Sequence, residues 1–180
     1  SVSAMMQISA YLASQDIDHD AVDALDLVGT CSEDLDMVIV LGGDGTVLST
    51  AAYVEYARVP ILGLNYGHLG FIVNKCEDDV VSAVAGALAG EVTTEYRSNL
   101  HIDVRCEDDG DAAFERRVSD YVSPDNVRTF FALNEAALTH GSSGRVVDLR
   151  LDVNGTMMGE INGDGLVVAT ATGSTAYALS

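Results

Sequence analysis

A chain of 180 residues, 48% of them hydrophobic, can bury a core in one large domain or two small ones, which excludes a disordered segment. Nine Lys and Arg against 28 Asp and Glu leave a net charge of −19, excluding the basic face that nucleic-acid binding by counterion release requires. Such an acidic surface suits a high-salt cytoplasm, where ionic strength screens self-repulsion, or simply an acidic soluble protein.

Val2, Met5, Met6, Ser9 and Leu12 recur at helical spacing, so the chain opens in a helix. Leu35 to Leu41, interrupted only by Asp36, predicts a strand buried on both faces. After the turn Gly42-Gly43-Asp44-Gly45, Thr46 is placed to cap a helix running to about Tyr56. Pro60 ends that segment, and Ile61 to Leu64 is the next buried strand, followed by the loop Asn65-Tyr66-Gly67-His68-Leu69-Gly70. Asp78 is expected to cap a helix with Val80, Val81, Val84 and Leu88 on one face, closed by Gly90. Strand, glycine turn, helix and strand make a parallel α/β unit with its loops at the strand carboxyl ends, where such sheets place ligands.

From about residue 96 the period changes. Leu100, Ile102 and Val104 alternate with His101, Asp103 and Arg105 as a half-buried strand does. Residues 107 to 128 are polar and acidic and read as a surface loop or hairpin tip. Phe130 to Leu138 is another strand. Val147 to Val153, Asn154-Gly155 and Thr156 to Ile161 form a hairpin, because Asn-Gly favours a type I′ turn. Leu166 to Thr170 is one more strand. The expected fold is an α/β, Rossmann-like domain with a parallel sheet over 1–95, then an all-β domain over 96–180. The expected strand ahead of the opening helix is missing, and Ser180 falls inside a glycine-rich loop, so the sequence reads as a fragment.

Cys31, Cys76 and Cys106 are too few and too far apart for a disulfide framework or a zinc site. No apolar run approaches the roughly 20 residues of a membrane span, and no signal peptide opens the chain. The expectation is a cytoplasmic protein with no membrane partner.

Three stretches carry chemistry. In Gly42-Gly43-Asp44-Gly45-Thr46 the glycines leave backbone N–H groups open to phosphate oxygens, without the spacing of a P-loop or of a redox dinucleotide fold. The plainer account is a tight turn with Asp44 as a local cap. A carboxylate among phosphate donors has a chemical use, however. A hydroxyl that attacks phosphorus must lose its proton, and an aspartate within hydrogen-bond reach takes it late in the transfer. In the second stretch, Asn134 offers a donor and an acceptor, and Glu135 accepts from a ribose hydroxyl or an amide; a strand end with a solvent-facing Glu is the plainer account. The third, Asp164 to Ser180, delivers a loop of small hydroxyl residues and then Tyr177, which can stack on a flat ring; without a ligand it reads as a turn capping a helix that begins near Thr175.

Together the three stretches resemble NAD kinases in order and spacing. Gly42 to Thr46, Asn134-Glu135 and Thr172-Gly173-Ser174-Thr175-Ala176-Tyr177 are similar to signature blocks of that family, and Pro60 to Asn65 with Gly67 to Phe71 is similar to a fourth. The resemblance covers Leu35 to Ser180, and the last block is its most specific part, because lipid kinases and phosphofructokinases share only the first. It implies phosphoryl transfer from ATP or polyphosphate to the 2′-hydroxyl of the adenosine ribose of NAD, giving NADP. By motif, Asp44 is the proton acceptor, and Gly42, Gly43, Gly45 and Thr46 form the phosphate loop. NAD is held by Asp44, Gly45, Asn134, Glu135, Arg145, Asp164, Thr175, Ala176, Tyr177 and Ser180. Mg²⁺ or another divalent ion arrives with the nucleotide rather than in a protein cage, and the family implies a homo-oligomer, dimer or tetramer. Asn162 departs from the pattern, which commonly has a basic residue there. The alternatives are a lipid or sugar kinase sharing only the glycine element, or a truncated nucleotide-binding module without activity.

Overall fold

The computed structural model describes residues 2–23, 35–54, 59–65, 70–75, 79–105, 127–140 and 144–180. Of the loop predicted over 107–128, residues 107–126 lie outside the described residues, while Val127 and Arg128 begin a strand rather than end a loop; residues 66–69 and all three cysteines also lie outside the described residues. The described residues fall into two compact units that divide between Tyr96 and Arg97.

The first unit is a parallel α/β layer structure. Its sheet runs β1 (Val38–Leu41), β2 (Ile61–Asn65), β3 (Asn74–Lys75), with both neighbouring pairs parallel. Two apolar clusters explain why the strands carry hydrophobic residues in succession. Leu64 packs with Ala4, Ile8 and Leu12 of α1 (Val2–Ser14) and Val80 and Val84 of α3 (Val80–Leu88), joined by Ile39, Leu41 and Leu62. Val40 packs with Val47 of α2 (Asp44–Tyr53) and with Val73, joined by Val38 and Ile61. Side chains of a strand alternate between faces, so a strand covered on both sides is apolar at every position. The sheet is shorter than the apolar run: Leu35 lies outside β1 and is exposed.

Five details differ from the sequence expectations. The buried stripe of α1 is Ala4, Ile8 and Leu12, at i, i+4, i+8, while Val2 and Met6 are about two-thirds exposed at 66% and 65%. A small Ala and one β-branched residue fit the gap against α3 better than two flexible methionines. Helix α2 begins at Asp44, with Gly43 as its N-cap in an extended conformation, so Thr46 sits in the first turn instead of capping it; the helix ends at Tyr53. The cap of α3 is Asp79, not Asp78: its carboxylate accepts from the Ser82 N–H (3.0 Å) and from the Ser82 hydroxyl. The Ser82 hydroxyl first, and its N–H next, hold the Asp79 carboxyl below the usual carboxylate range. A depressed folded value means that this stabilisation is complete above the unfolded value of about 4 and is lost as pH falls through the folded one. Gly90, with φ +74°, follows α3 as expected.

The second unit is built of antiparallel pairs. Strand β4 (Leu100–Arg105) pairs with β5 (Val127–Ala132), β6 (Glu135–Thr139) with β9 (Gly165–Ala169), and β7 (Val147–Val153) with β8 (Thr156–Gly163). β4 alternates half-buried and exposed residues along its whole length. Asn154 (φ 51°) and Gly155 (φ 78°) make the tight turn of the β7–β8 hairpin with both residues left-handed. The fourth and fifth differences lie here. The single strand expected over Phe130 to Leu138 is two strands in two sheets, broken at Leu133-Asn134. The helix expected near Thr175 is a pair of 3₁₀ turns, Gly173–Thr175 and Tyr177–Leu179.

Replacing Ile8 by Ala is expected to cost about 2–5 kcal/mol, whereas Met6→Ala stays within about 0.5 kcal/mol. The shift of the urea midpoint in the two variants measures the difference. Equal costs would return the buried face of α1 to the methionines.

Candidate functional site

The first unit has its candidate site where β1 meets α2. Gly42 extends the strand ladder by one bond, its N–H donating to the Leu64 carbonyl at 3.0 Å. Gly43 turns the chain, and its carbonyl accepts from the N–H groups of Thr46 (3.0 Å) and Val47 (3.3 Å), which opens the helix. Asp44 is the first helical residue and is half-buried. Its carboxylate reaches across to the loop that follows β2. Oδ2 accepts from Phe71 N–H at 2.8 Å, and Oδ1 accepts from Ile72 N–H and Val73 N–H, each at 3.2 Å. Val73 is buried against Val40 and Val47, so the row of amides is anchored in the core rather than hanging from a free loop.

This arrangement explains one glycine outright. A Cβ on Gly70 would overlap the Asp44 carboxylate, so only glycine lets the carboxylate seat on the three amides. Gly42 is a packing glycine of the same kind, since a Cβ there would run into the side chain of Thr46. Gly43 and Gly45 differ: beyond their chain neighbours and the backbone of their own helix, no atom of the described residues lies within 4 Å of where their Cβ would stand. Among the described residues the space over the turn is open, as a phosphate approaching the backbone requires. A carboxylate accepts about four hydrogen bonds. Three are taken, and Oδ2, with one amide donor, is the oxygen with room for a further one.

A second candidate site lies in the other unit, at the bend between β5 and β6. Asn134 sits in the bend rather than in a strand, which frees the Asn134-Glu135 pair from strict alternation. Thr170 and the 3₁₀ turns close on this bend. The Thr170 N–H donates to the Asn134 carbonyl at 2.8 Å, and the Thr170 hydroxyl donates to the Leu133 carbonyl at 2.6 Å. A Cβ on Gly173 would overlap the Asn134 main chain. Asn134 Oδ1 and Glu135 Oε2 are shut away from solvent and have no donor among the described residues. A buried acceptor without a donor costs about 1–3 kcal/mol, so native proteins seldom leave one without a use.

Other predicted residues line this unit. Thr175 Oγ1 bonds to the Thr172 carbonyl (3.5 Å) and Ser180 Oγ to the Tyr177 carbonyl (2.7 Å), so these hydroxyls donate inside the loop and keep their lone pairs for incoming donors. Ala176 is half-buried, and Tyr177 is 57% exposed with its ring presented outward. Arg145 and Asp164 are exposed, and the Asp164 carbonyl accepts from His140 N–H at 3.1 Å. Asn162, the departure from the family pattern, donates to Asp148 across the β7–β8 pair. Sequence reasoning passed over Arg97, whose Nη1 donates to Thr172 Oγ1 at 3.3 Å. It stands in no motif, and its only signal was being one of nine basic residues in so acidic a chain. Thr170 was passed over as well, as an ordinary strand end. Among the described residues no three His, Cys, Asp or Glu side chains gather as a metal cage, and no helix is long and apolar enough to cross a membrane.

A parallel α/β unit with a glycine turn at its strand ends, followed by a unit of antiparallel β pairs, is the architecture of a two-domain α/β plus β protein. The ATP-NAD kinase N-terminal domain profile matches residues 7–92, and the ATP-NAD kinase C-terminal domain profile matches residues 133–180. The chain belongs to the NAD kinase family. It is 33% identical over 181 residues to an NAD kinase of Syntrophobacter fumaroxidans, covering 96% of this chain and 58% of that protein. It is 38% identical over 148 residues to an NAD kinase of Alcanivorax borkumensis, covering 82% and 44%. The chain thus spans about half the length of the curated relatives it matches. The fold is similar to that of a yeast NADH kinase solved in complex with NADH, with a TM-score of 0.71 and 20% identity, over 98% of this chain and 55% of that one. A match through the C-terminal domain removes the ground for a lipid or sugar kinase sharing only the glycine element.

Gly70→Ala is expected to cost about 1–3 kcal/mol, as overpacking does, and to raise the hydrogen-exchange rates of the Phe71, Ile72 and Val73 amides. Gly43→Ala, in open space, is expected to stay within about 0.5 kcal/mol and leave those amides protected. Unchanged exchange in Gly70→Ala would mean that the carboxylate does not hold the loop.

Proposed function

We propose that the protein containing this chain transfers the terminal phosphoryl group of ATP, or of polyphosphate, to the 2′-hydroxyl of the adenosine ribose of NAD. Asp44 accepts the hydroxyl proton as the oxygen bonds to phosphorus, and the bond to the departing ADP or shortened polyphosphate breaks. Oδ2 of Asp44 supports this role, because it has room for one more donor while three amides fix the plane of the carboxylate. Gly42, Gly43, Gly45 and Thr46 form the phosphate turn, and the open space over Gly43 and Gly45 among the described residues supports that use.

The observation that carries the reading is the pair of sealed acceptors, Asn134 Oδ1 and Glu135 Oε2. Once their side chains turn outward, they accept from a ligand that presents hydrogen-bond donors, which an amino group of a base, a carboxamide or a ribose hydroxyl supplies. Tyr177 stacks on a ring of the same ligand, with Arg145, Asp164, Thr175, Ala176 and Ser180 around it. A divalent ion such as Mg²⁺ comes with the donor phosphates and neutralises charge developing on them. The working protein is a homo-oligomer of the cytoplasm.

In the full-length protein, Asp44→Asn is expected to lower NADP formation by about a thousandfold, within the range usual for a lost general base. NAD affinity by calorimetry should change less than about threefold. Near-normal turnover of the variant would remove Asp44 from the chemistry. Saturable NAD binding by the unsubstituted protein, with no transfer of labelled phosphate, would make it a binding module instead.

A further inference from the structure

Thr170 joins both halves of the proposed NAD contact in the second unit through one residue. It is buried, 8% exposed, at the end of β9. Its hydroxyl donates to the Leu133 carbonyl (2.6 Å) and accepts from Gly173 N–H (3.1 Å). Its own N–H donates to the Asn134 carbonyl (2.8 Å), and its carbonyl accepts from Ser174 N–H (3.0 Å). Two of these bonds go to the bend that carries Asn134 and two to the first 3₁₀ turn. A hydroxyl is the smallest side chain that donates and accepts at once, and this one uses both capacities on segments far apart in sequence.

We propose that Thr170 is a positioning residue for the dinucleotide: it sets the distance between the Asn134-Glu135 acceptors and the loop from Thr172 to Tyr177. The inference rests on the reading that these two segments hold NAD. Gly173 has no Cβ to separate the loop from Asn134, so the loop lies directly against the Asn134 main chain. The hydroxyl is what fixes the register of that contact. Without it, Leu133 C=O loses its donor and the buried Gly173 N–H loses its acceptor. Both groups then have reason to pull the loop towards water or towards new partners. The sealed acceptors of Asn134 and Glu135 would remain on the chain but no longer at their present spacing from the loop.

Thr170→Val keeps shape and β-branching and deletes the hydroxyl, while Thr170→Ser keeps the hydroxyl. In the full-length protein, NAD binding is measured by calorimetry, NADP formation by turnover, and folding by Tm. Thr170→Val is expected to bind NAD about tenfold more weakly and to raise KM for NAD by a similar factor, through the loss of two buried hydrogen bonds. KM for the phosphoryl donor should stay within about twofold, and Thr170→Ser should restore NAD binding to within about twofold of the unsubstituted protein. A lowered Tm with unchanged NAD binding would overturn the proposal, because a merely structural threonine does no more than that. If Thr170→Val does not fold, Thr170→Ser and Thr170→Cys decide: equal NAD binding by both would overturn it, since the thiol is a poor substitute donor. An unsubstituted protein that binds NAD without forming NADP would overturn phosphoryl transfer while leaving the Thr170 comparison decisive. One that fails to bind NAD would overturn both.

Discussion

One carboxylate, Asp44, ties together the two loops at the carboxyl ends of β1 and β2. Three main-chain N–H groups converge on its two oxygens, and bonds of this charge-assisted kind are stronger than neutral ones. The geometry of the first unit follows from satisfying them. Gly70 must lack a Cβ for the carboxylate to arrive, Val73 must be buried to hold the amides still, and Asp44 must begin α2 rather than end β1. An acid in the first turn of a helix is also favoured by the helix dipole. The residue therefore has a sufficient structural reason to be an aspartate, and its proposed chemistry uses a group that the fold has already oriented.

The second unit reaches the same end with a neutral group. There a threonine hydroxyl and a glycine bring a loop onto a bend, again by main-chain hydrogen bonds and a missing Cβ. In each unit a side chain that caps the backbone of a distant segment sits beside atoms left unspent. These are the open face over Gly43 and Gly45 in one case and the sealed acceptors of Asn134 and Glu135 in the other. In a chain of net charge −19, the proposed binding of an anionic nucleotide would fall to oriented amides and a few placed cations.

Much of this was legible in the sequence because it depends on short-range chemistry. Doubly apolar strands, the Asn154-Gly155 turn and the alternation of Leu100 to Arg105 are properties of neighbouring residues, and the structure has all three. What escaped depends on partners distant in sequence. The buried face of α1 is chosen by α3 some seventy residues away, so the larger methionines misled the reading while Ala4 and Ile8 carry the contact. The break at Leu133-Asn134 was hidden because the residues on both sides favour strands; it arises from pairing with two different partners, β4 and β9. Asp44 stood out as a carboxylate among glycines, yet nothing near it announced Phe71, Ile72 and Val73 as its donors. Thr170 looked like any strand end until its four bonds were seen together.

The central claim is that the amide-bound carboxylate of Asp44 also receives the proton of the phosphoryl acceptor. A crystal structure of the full-length protein with NAD bound tests it most directly, through the separation between Asp44 Oδ2 and the adenosine ribose 2′-oxygen. The account predicts hydrogen-bond distance, about 2.6–3.2 Å, or a single bridging water, with the Phe71 N–H still on Oδ2. A ribose hydroxyl facing away from that oxygen, with another side chain within reach of it, would contradict the account.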